Sequence, residues 1–163
     1  MDRASRAATQ WRAECPEMDL LPMELLGRLA ETALVIERQH LAPVFAQFGL
    51  QGGEFDVLAA LRRSGAPYAL SPSALFDVTM MSSGGMTARI DRLEKAGLVA
   101  RRPNPADRRG TLVGLTDAGR TLIDQAMAAH LANEAQIVGA LSRAEQDTLS
   151  ALLKKLLGGL PGT

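Results

Sequence analysis

The stretch that decides the fold is SSGGMTARIDRLEKAGLVARRPNPADRRGTLVGLTDAG, residues 82–119. In its first half, Met86, Ile90 and Leu93 fall on one side of a helix that advances by about 100° per residue. Gly97 is a suitable helix stop. Beyond it, two short apolar runs, LVARR and TLVGL, are separated by the turn-rich PNPADRRG. The stretch therefore predicts a helix followed by a β-hairpin.

Helical patterns flank this stretch on both sides. The additional helices are predicted over 19–48 with a late break at Pro43, over 52–63, from the N-cap Ser71 to about Asp77, from the N-cap Thr116, and from the N-cap Ser142 with Glu145 as its capping-box partner. The C-terminal helix carries a stripe of leucines at helical spacing: Leu149, Leu152, Leu153, Leu156 and Leu157. Such an apolar stripe needs a partner surface.

The order of these elements predicts a mainly α fold with a small β-hairpin. The fold is a winged helix-turn-helix with long N- and C-terminal dimerisation helices. The chain divides into N-terminal helices over 1–50, a winged helix-turn-helix over 51–116 and C-terminal helices over 117–163. Because the outer helices are too long and apolar to serve the small central module alone, we expect one intertwined domain.

The composition excludes several classes of protein. The 163 residues contain one cysteine, Cys15, which rules out an internal disulfide. We find no apolar run that could cross a bilayer and no signal-type N-terminus, so we expect a cytoplasmic protein without a membrane partner. The two histidines, His40 and His130, are far apart, and we find neither metal-ligand spacing nor a phosphate-binding loop. We therefore expect no enzyme, no metal and no cofactor.

Basic charge is concentrated around the predicted hairpin. The formal net charge of the chain is zero, which by itself argues against nucleic-acid binding. Residues 89–109, however, contain seven Lys or Arg against three Asp or Glu, a local charge of +4. A local basic surface is the electrostatic footprint of a nucleic-acid partner.

The helix predicted from Ser82 or Ser83 through Ala96 has the two faces that a major-groove helix needs. One face is apolar, and the other is small at its start and charged at its end. The two serines and the backbone N–H groups beside them suit phosphate. The predicted DNA contacts of this helix are Ser82, Ser83, Thr87, Arg92 and Lys95. An ordinary solvated surface helix is the alternative.

The predicted hairpin places two arginines at the tip of its loop. Arg108 and Arg109 are suited to a narrow minor groove, where the potential is most negative. Asp107 is positioned to hold one of them. A solvated basic turn is the alternative interpretation.

The hairpin resembles the wing of MarR-family regulators. The matching pattern is D-x-R-x-x-x-V-x-L-T-x-x-G, formed by Asp107, Arg109, Val113, Leu115, Thr116 and Gly119, and it follows RLEKAGLVARR. The resemblance extends over roughly residues 20–160. It implies a homodimer that binds double-stranded DNA at a palindromic operator, usually as a repressor released by a small molecule.

Three features stand out beside this pattern: an N-terminal helix that carries Trp11, the segment GEFDVLAALRRSG at 53–65, and Arg89 and Arg101 around the recognition helix. In these features the chain resembles the urate-responsive subgroup of that family. The resemblance implies a ligand quartet of Trp11, Asp56, Arg89 and Arg101 for urate, xanthine or a similar purine. The chemistry is reasonable, because tryptophan stacks on a planar ring and a guanidinium pairs with an anionic edge. Each residue has an alternative: helix packing for Trp11, an ion pair between Asp56 and Arg89, and a phosphate contact for Arg101.

Two alternative functions remain open. The first is a redox-sensing regulator that uses Cys15, although the acidic neighbours of this cysteine disfavour the thiolate. The second is a winged-helix module that binds protein instead of DNA. Salt dependence separates DNA binding from protein binding, because phosphate contacts weaken steeply as salt rises.

Overall fold

The computed structural model describes residues 1–79, 85–105 and 110–161. The elements in chain order are α1 (Arg3–Glu14), α2 (Leu21–Val35), a π-helical turn (Ile36–Leu41), α3 (Ala42–Gln47), α4 (Gly52–Arg63), β1 (Ala69–Leu70), α5 (Pro72–Val78), α6 (Met86–Lys95), β2 (Val99–Pro103), β3 (Thr111–Leu115), α7 (Asp117–Ile137), a 3-10 turn (Val138–Ala140) and α8 (Arg143–Gly158). The prediction of a mainly α fold with a small β-hairpin is confirmed.

The long N-terminal helix is interrupted earlier than the sequence predicted. One helix was expected over 19–48 with a late break at Pro43, but the π-helical turn already begins at Ile36. Pro43 lies in the first turn of α3, where it lacks an N–H for the preceding turn. The wider π turn accommodates that loss upstream of the proline. In the same turn, the His40 carbonyl accepts a hydrogen bond from Asn133 Nδ2 on α7, at 3.1 Å.

Three strands form an antiparallel sheet in the order β1-β3-β2. The predicted hairpin strands are confirmed, with Val99 opposite Leu115 and Pro103 opposite Thr111. The sequence analysis missed β1, which pairs Leu70 with Val113. A strand of two residues has no alternation of its own, so no periodic pattern could reveal it.

The helix that carries the predicted DNA contacts begins at Met86 instead of at a serine cap. Its N-cap is Gly85, whose φ of 109° lies in the left-handed region that favours glycine. Ser82 and Ser83 lie outside the described residues. At the other end, Gly97 adopts a φ of 73° and confirms the predicted stop.

One core unites the central helices with α7. The large side chains that are fully buried come from α4, α5, α6, both hairpin strands and α7: Val57, Leu58, Leu61, Leu75, Ile90, Leu93, Val99, Val113 and Ile123. Gly119 allows the backbone of α7 to approach Leu98, the residue before β2, because a Cβ there would overlap the Leu98 carbonyl oxygen. Thr116 caps α7 and accepts the Gly119 N–H at 3.0 Å, as predicted.

Two helices keep their apolar faces exposed. Neither α2 nor α8 has a buried residue, although α8 begins with the predicted capping box of Ser142 and Glu145. The exposed leucines are Leu21, Leu25, Leu26, Leu29 and Leu34 on α2, and Leu149, Leu152, Leu153, Leu156 and Leu157 on α8. Within the described ranges, no helix has the length and apolar composition to span a membrane.

Candidate nucleic-acid and effector sites

The faces of α6 agree with the helical wheel. Met86, Ile90 and Leu93 are buried in the core. Thr87 and Lys95 are exposed, as a DNA-contacting face requires. The helix is therefore anchored by three apolar side chains and presents its polar side outward.

Arg92 links α6 to α4. Its Nε donates a hydrogen bond to Glu54 Oε1 at 2.6 Å, and the Glu54 side chain is only 8% exposed. The other carboxylate oxygen of Glu54 accepts the Gln51 N–H at 2.9 Å as part of the capping box of α4. Arg92 thus has a structural partner that the sequence analysis missed. Its predicted DNA contact remains a prediction, and its half-exposed side chain is compatible with one.

Arg101 links the first wing strand to α6. Its guanidinium donates to Asp91 Oδ1 at 2.5 Å and to Glu94 Oε2, while its backbone N–H donates to Glu94 Oε1 at 2.9 Å. That N–H, together with the guanidinium, lowers the pKa of Glu94. The predicted ligand role of Arg101 remains a prediction, but in this structure two carboxylates already hold its guanidinium.

Arg89 lies against a gap formed by two glycines, Gly53 on α4 and Gly85 ahead of α6. A Cβ on Gly53 would overlap Arg89 Nε and lie 2.9 Å from Cζ, and a Cβ on Gly85 would lie 3.2 Å from Nη1. We call this space the glycine gap. Arg89 Nη1 is buried and has no hydrogen-bond partner among the described residues. A buried N–H group without an acceptor is costly, so this donor is available to an acceptor that enters the site.

Asp56 is electrostatically coupled to Arg89 without a direct ion pair. The pKa of Asp56 is raised, chiefly because the neighbouring protein displaces part of the solvent around a residue that stays exposed, while interactions with Arg63, His130 and Arg89 oppose the shift. Across the described residues, no ion pair within 4.0 Å joins Asp56 to Arg89. The structure therefore shows attraction between Arg89 and Asp56 at longer range, without the direct ion pair that was the alternative.

His130 is a neighbour of this region that the sequence analysis left without a role. Its ring centroid lies 4.9 Å from that of Phe55 and 5.4 Å from that of Phe45. Its Nε2 lies 3.1 Å from Glu134 Oε1, and its Nδ1 is buried without a hydrogen-bond partner among the described residues. No local sequence pattern could reveal this ring contact, because His130 and Phe55 are distant along the chain.

Trp11 is on α1, which packs against α2. Ala4 and Ala8 are buried in this contact, whereas Trp11 is 49% exposed. In the part of the chain that the structure describes, no hydrogen bond or ring contact joins Trp11 to Asp56, Arg89 or Arg101. A single protomer thus brings Asp56 and Arg89 into one region and leaves Trp11 on a separate helix.

Comparisons with known proteins agree with this geometry. A model of the MarR family matches residues 48–110, from the end of α3 into the wing. The HTH-type transcriptional regulator PecS of Dickeya dadantii is 43% identical over 147 residues, which cover 90% of this chain and 88% of that protein. The chain belongs to the MarR family.

Solved structures of MarR-family proteins share its fold. A cysteine-to-serine mutant of MarR from Escherichia coli, complexed with operator DNA, has a TM-score of 0.71 and 28% identity, covering 90% of this chain and 97% of that one. BpsR of Bordetella bronchiseptica, whose DNA binding is regulated by 6-hydroxynicotinic acid, has a TM-score of 0.66 and 30% identity, covering 80% and 91%.

The family assignment answers two questions left open by the sequence. MarR-family proteins are DNA-binding transcriptional regulators and not enzymes, so the winged helix of this protein is a DNA-binding module. The alternative of a protein-interaction module is not favoured. The predicted DNA contacts Ser82, Ser83, Asp107, Arg108 and Arg109 lie outside the described residues and remain predictions.

Cys15 gains no support as a sensor in this MarR-family protein. It is half-buried immediately after α1, where its backbone N–H donates to the Trp11 carbonyl at 2.8 Å. The bond is to the backbone, so it assigns no role to the thiol. The redox interpretation remains a prediction without a supporting observation.

Proposed function

We propose that this MarR-family protein is a homodimeric repressor. It binds a palindromic operator through α6 and the wing, and urate or a related purine anion such as xanthine releases it. The proposal of an anionic effector rests on one observation. The Arg89 guanidinium lies in the glycine gap, and its buried Nη1 has no hydrogen-bond partner among the described residues.

The exposed leucines of α2 and α8 support the homodimer. A contiguous apolar surface of this kind marks a protein-protein contact in water-soluble helical proteins. The leucines of α2 and the stripe on α8 are both exposed, so a second copy of the chain would cover these surfaces in the homodimer. A two-fold dimer presents two copies of α6, which is why we propose a palindromic operator.

The accessible side of α6 and the wing support the DNA interface. Thr87 and Lys95 point away from the core, and Arg102 is exposed on β2. The helix and the strand are joined through Arg101, so they enter the two grooves as one unit. We further propose that Ser82, Ser83, Arg108 and Arg109 provide phosphate and minor-groove contacts, with Asp107 orienting the arginines.

The chemistry around Arg89 supports a planar anion as effector. An anionic oxygen or ring nitrogen would accept from Nη1 in a charge-assisted hydrogen bond. The Asp56 carboxyl, whose pKa is raised, can share or accept a proton at the other edge of the ligand. Trp11, exposed on α1, would stack on the ring in the assembled dimer. BpsR responds to a hydroxylated heteroaromatic acid, which is a ligand of the same general class.

Release follows from the position of Arg89. This residue belongs to α6, and its guanidinium reaches α4 and the glycine that precedes α6. A ligand bound to the guanidinium acts directly on the recognition helix. The ligand weakens DNA binding if its affinity is higher for the protein conformation that does not fit the operator than for the conformation that fits.

The test is DNA binding to the protein's own upstream intergenic region, with and without urate. We would compare the wild type with Arg89→Ala, Trp11→Ala and a control, Arg143→Ala, which removes an exposed arginine on α8. We expect urate to release wild type and control but not Arg89→Ala or Trp11→Ala. DNA binding should weaken steeply with added salt.

Other outcomes separate the parts of the proposal. If the wild type binds DNA but ignores urate and xanthine, the effector assignment fails and the DNA-binding assignment stands. If oxidation of the thiol releases DNA from the wild type but not from Cys15→Ser, and urate has no effect, the redox alternative replaces the ligand. If no DNA is bound even at low salt, the proposed operator interface is wrong.

A further inference from the structure

Two consecutive glycines begin α4, and their surroundings differ. A Cβ on Gly52 would lie 3.7 Å from Phe45 Cδ2, which is ordinary van der Waals contact. A Cβ on Gly53 would overlap Arg89 Nε and lie 3.0 Å from Cδ. The absence of a side chain at position 53 therefore creates the space that the Arg89 guanidinium occupies.

The backbone at position 53 does not explain the glycine. Gly53 is not among the glycines with positive φ, so an alanine would fit the same helical conformation. Alanine is also the better helix former. The structure instead explains the glycine at position 53 by the close approach of Arg89.

The opposite side of the glycine gap fixes the direction of the guanidinium. Gly85 lies close to Arg89 Nη1. The backbone of Gly85 has a φ of 109°, a conformation that other residues rarely adopt. Arg89 thus lies between the first turn of α4 and the start of its own helix. Its Nη1 is directed to a buried position where no described residue accepts its hydrogen bond.

We propose that Gly53 is the positioning residue for Arg89 and sets the response of the protein to its anionic effector. The inference rests on the proposed function of Arg89 as the anchor of that anion. Any side chain at position 53 displaces the guanidinium from the glycine gap. The fold survives, because the atoms in the way belong to the flexible end of one side chain and not to the backbone.

The experiment compares Gly53→Ala with the matched control Gly52→Ala. The first readout needs no effector: the Nε–H cross-peak of Arg89 in a 15N-labelled protein, assigned by its loss in Arg89→Lys. We expect this cross-peak to move in Gly53→Ala, because the new methyl group overlaps Nε. It should keep its wild-type position in Gly52→Ala, whose methyl group meets Phe45 instead.

The second readout is the urate concentration that releases half of the bound DNA. We expect Gly53→Ala to raise it about tenfold or more, the cost of one charge-assisted hydrogen bond. The affinity for DNA without urate should change less than about threefold, because the atoms that must shift belong to the end of the Arg89 side chain and not to the exposed face of α6. Gly52→Ala should behave as wild type in both measurements. A merely structural role of Gly53 would change both quantities together.

The outcomes keep this inference distinct from the proposed function. An unmoved Arg89 cross-peak, a Gly53→Ala protein that fails to fold, or a urate response equal to that of Gly52→Ala overturns it. If Arg89→Ala abolishes the urate response while Gly53→Ala retains it, only the inference about Gly53 is wrong. If the wild type ignores urate but the cross-peak moves, the effector assignment fails and the positioning of Arg89 by Gly53 stands.

Discussion

Arg92 Nε lies 2.6 Å from Glu54 Oε1, so a guanidinium on the recognition helix is hydrogen-bonded to a nearly buried carboxylate on α4. The two residues are 38 positions apart in the chain. Glu54 also completes the capping box of its own helix. One carboxylate thus stabilises the start of α4 and the orientation of α6 at the same time.

Glu54→Gln is expected to lower the free energy of unfolding by about 1–3 kcal/mol, because a charge-assisted hydrogen bond to a buried group is weakened. Asp124→Asn is the control. It disrupts the exposed pair of Asp124 with Arg62 and should cost less than about 1 kcal/mol. Urea denaturation of both variants measures the difference. Equal costs for the two substitutions would contradict a special role for Glu54.

Arg101→Ala is expected to weaken operator binding while changing the unfolding free energy by less than about 1 kcal/mol. The reason is that Arg101 joins β2 to α6 through exposed carboxylates, and exposed pairs contribute little to stability. Arg3→Ala removes an exposed ion pair with Glu31 and serves as the control. Fluorescence anisotropy with labelled operator DNA measures affinity. Unchanged affinity in Arg101→Ala would show that the wing does not depend on this link.

The N-terminal cap of α1, and with it the Asp2–Arg28 contact to α2, is expected to weaken in acid. In the folded protein the pKa of Asp2 is lowered from 3.8 to about 2, chiefly by the Ser5 N–H and also by Arg28. A lowered pKa means that the carboxylate favours the capped and docked α1 above about pH 3.8 and that this contribution is lost as the pH falls towards 2. The fluorescence of Trp11, the only tryptophan, should report the change.

Asp2→Asn is the control for this titration. Asparagine still accepts the Ser5 N–H as an N-cap but carries no charge, so the transition between pH 3.8 and 2 should be reduced. Far-UV circular dichroism separates local release of α1 from global unfolding. An identical acid transition in wild type and Asp2→Asn would exclude Asp2 as its origin.

Gly119→Ala is expected to destabilise the protein by about 1–3 kcal/mol, because a methyl group would meet the Leu98 backbone carbonyl, which cannot move freely. Gly139→Ala is the matched control, since no residue that the structure describes lies within 4 Å of a Cβ at that position. Thermal denaturation should show a lower Tm only for Gly119→Ala. A loss of the same size in both would refute the steric explanation.

The double substitution Leu152→Glu with Leu156→Glu is expected to convert the dimer into a monomer. Both leucines are exposed on α8, and charges there would be buried without partners in a dimer. Ala151→Glu, on the opposite side of the helix at about 100° per residue, is the control. Size-exclusion chromatography with light scattering should give 17.4 kDa for the double variant and twice that mass for the control.

Local patterns predicted most of the secondary structure correctly. Thr116 and Ser142 cap α7 and α8 as expected, because the capping hydrogen bonds form within three residues. Gly97 ends α6 because its left-handed φ is a property of glycine itself. These features were readable from short windows of sequence, since their physical cause is equally local.

The candidate sites were only partly predictable. The wheel correctly separated the buried Met86 from the exposed Thr87, but it could not reveal that Arg92 pairs with Glu54. It also offered two serines as caps for a helix whose N-cap is Gly85. Helical period fixes the direction of a side chain and carries no information about what lies opposite.

The sequence by itself determined the family, the order of helices and hairpin, and the apolar faces, because caps, periodicity and the wing pattern are local or one-dimensional. Only the tertiary structure decided that Arg89 lies in a gap made by Gly53 and Gly85, and that Arg101 joins β2 to α6. Those contacts form because packing brings together elements that are far apart in the chain. No short window of sequence contains the information that decides which side chains then meet.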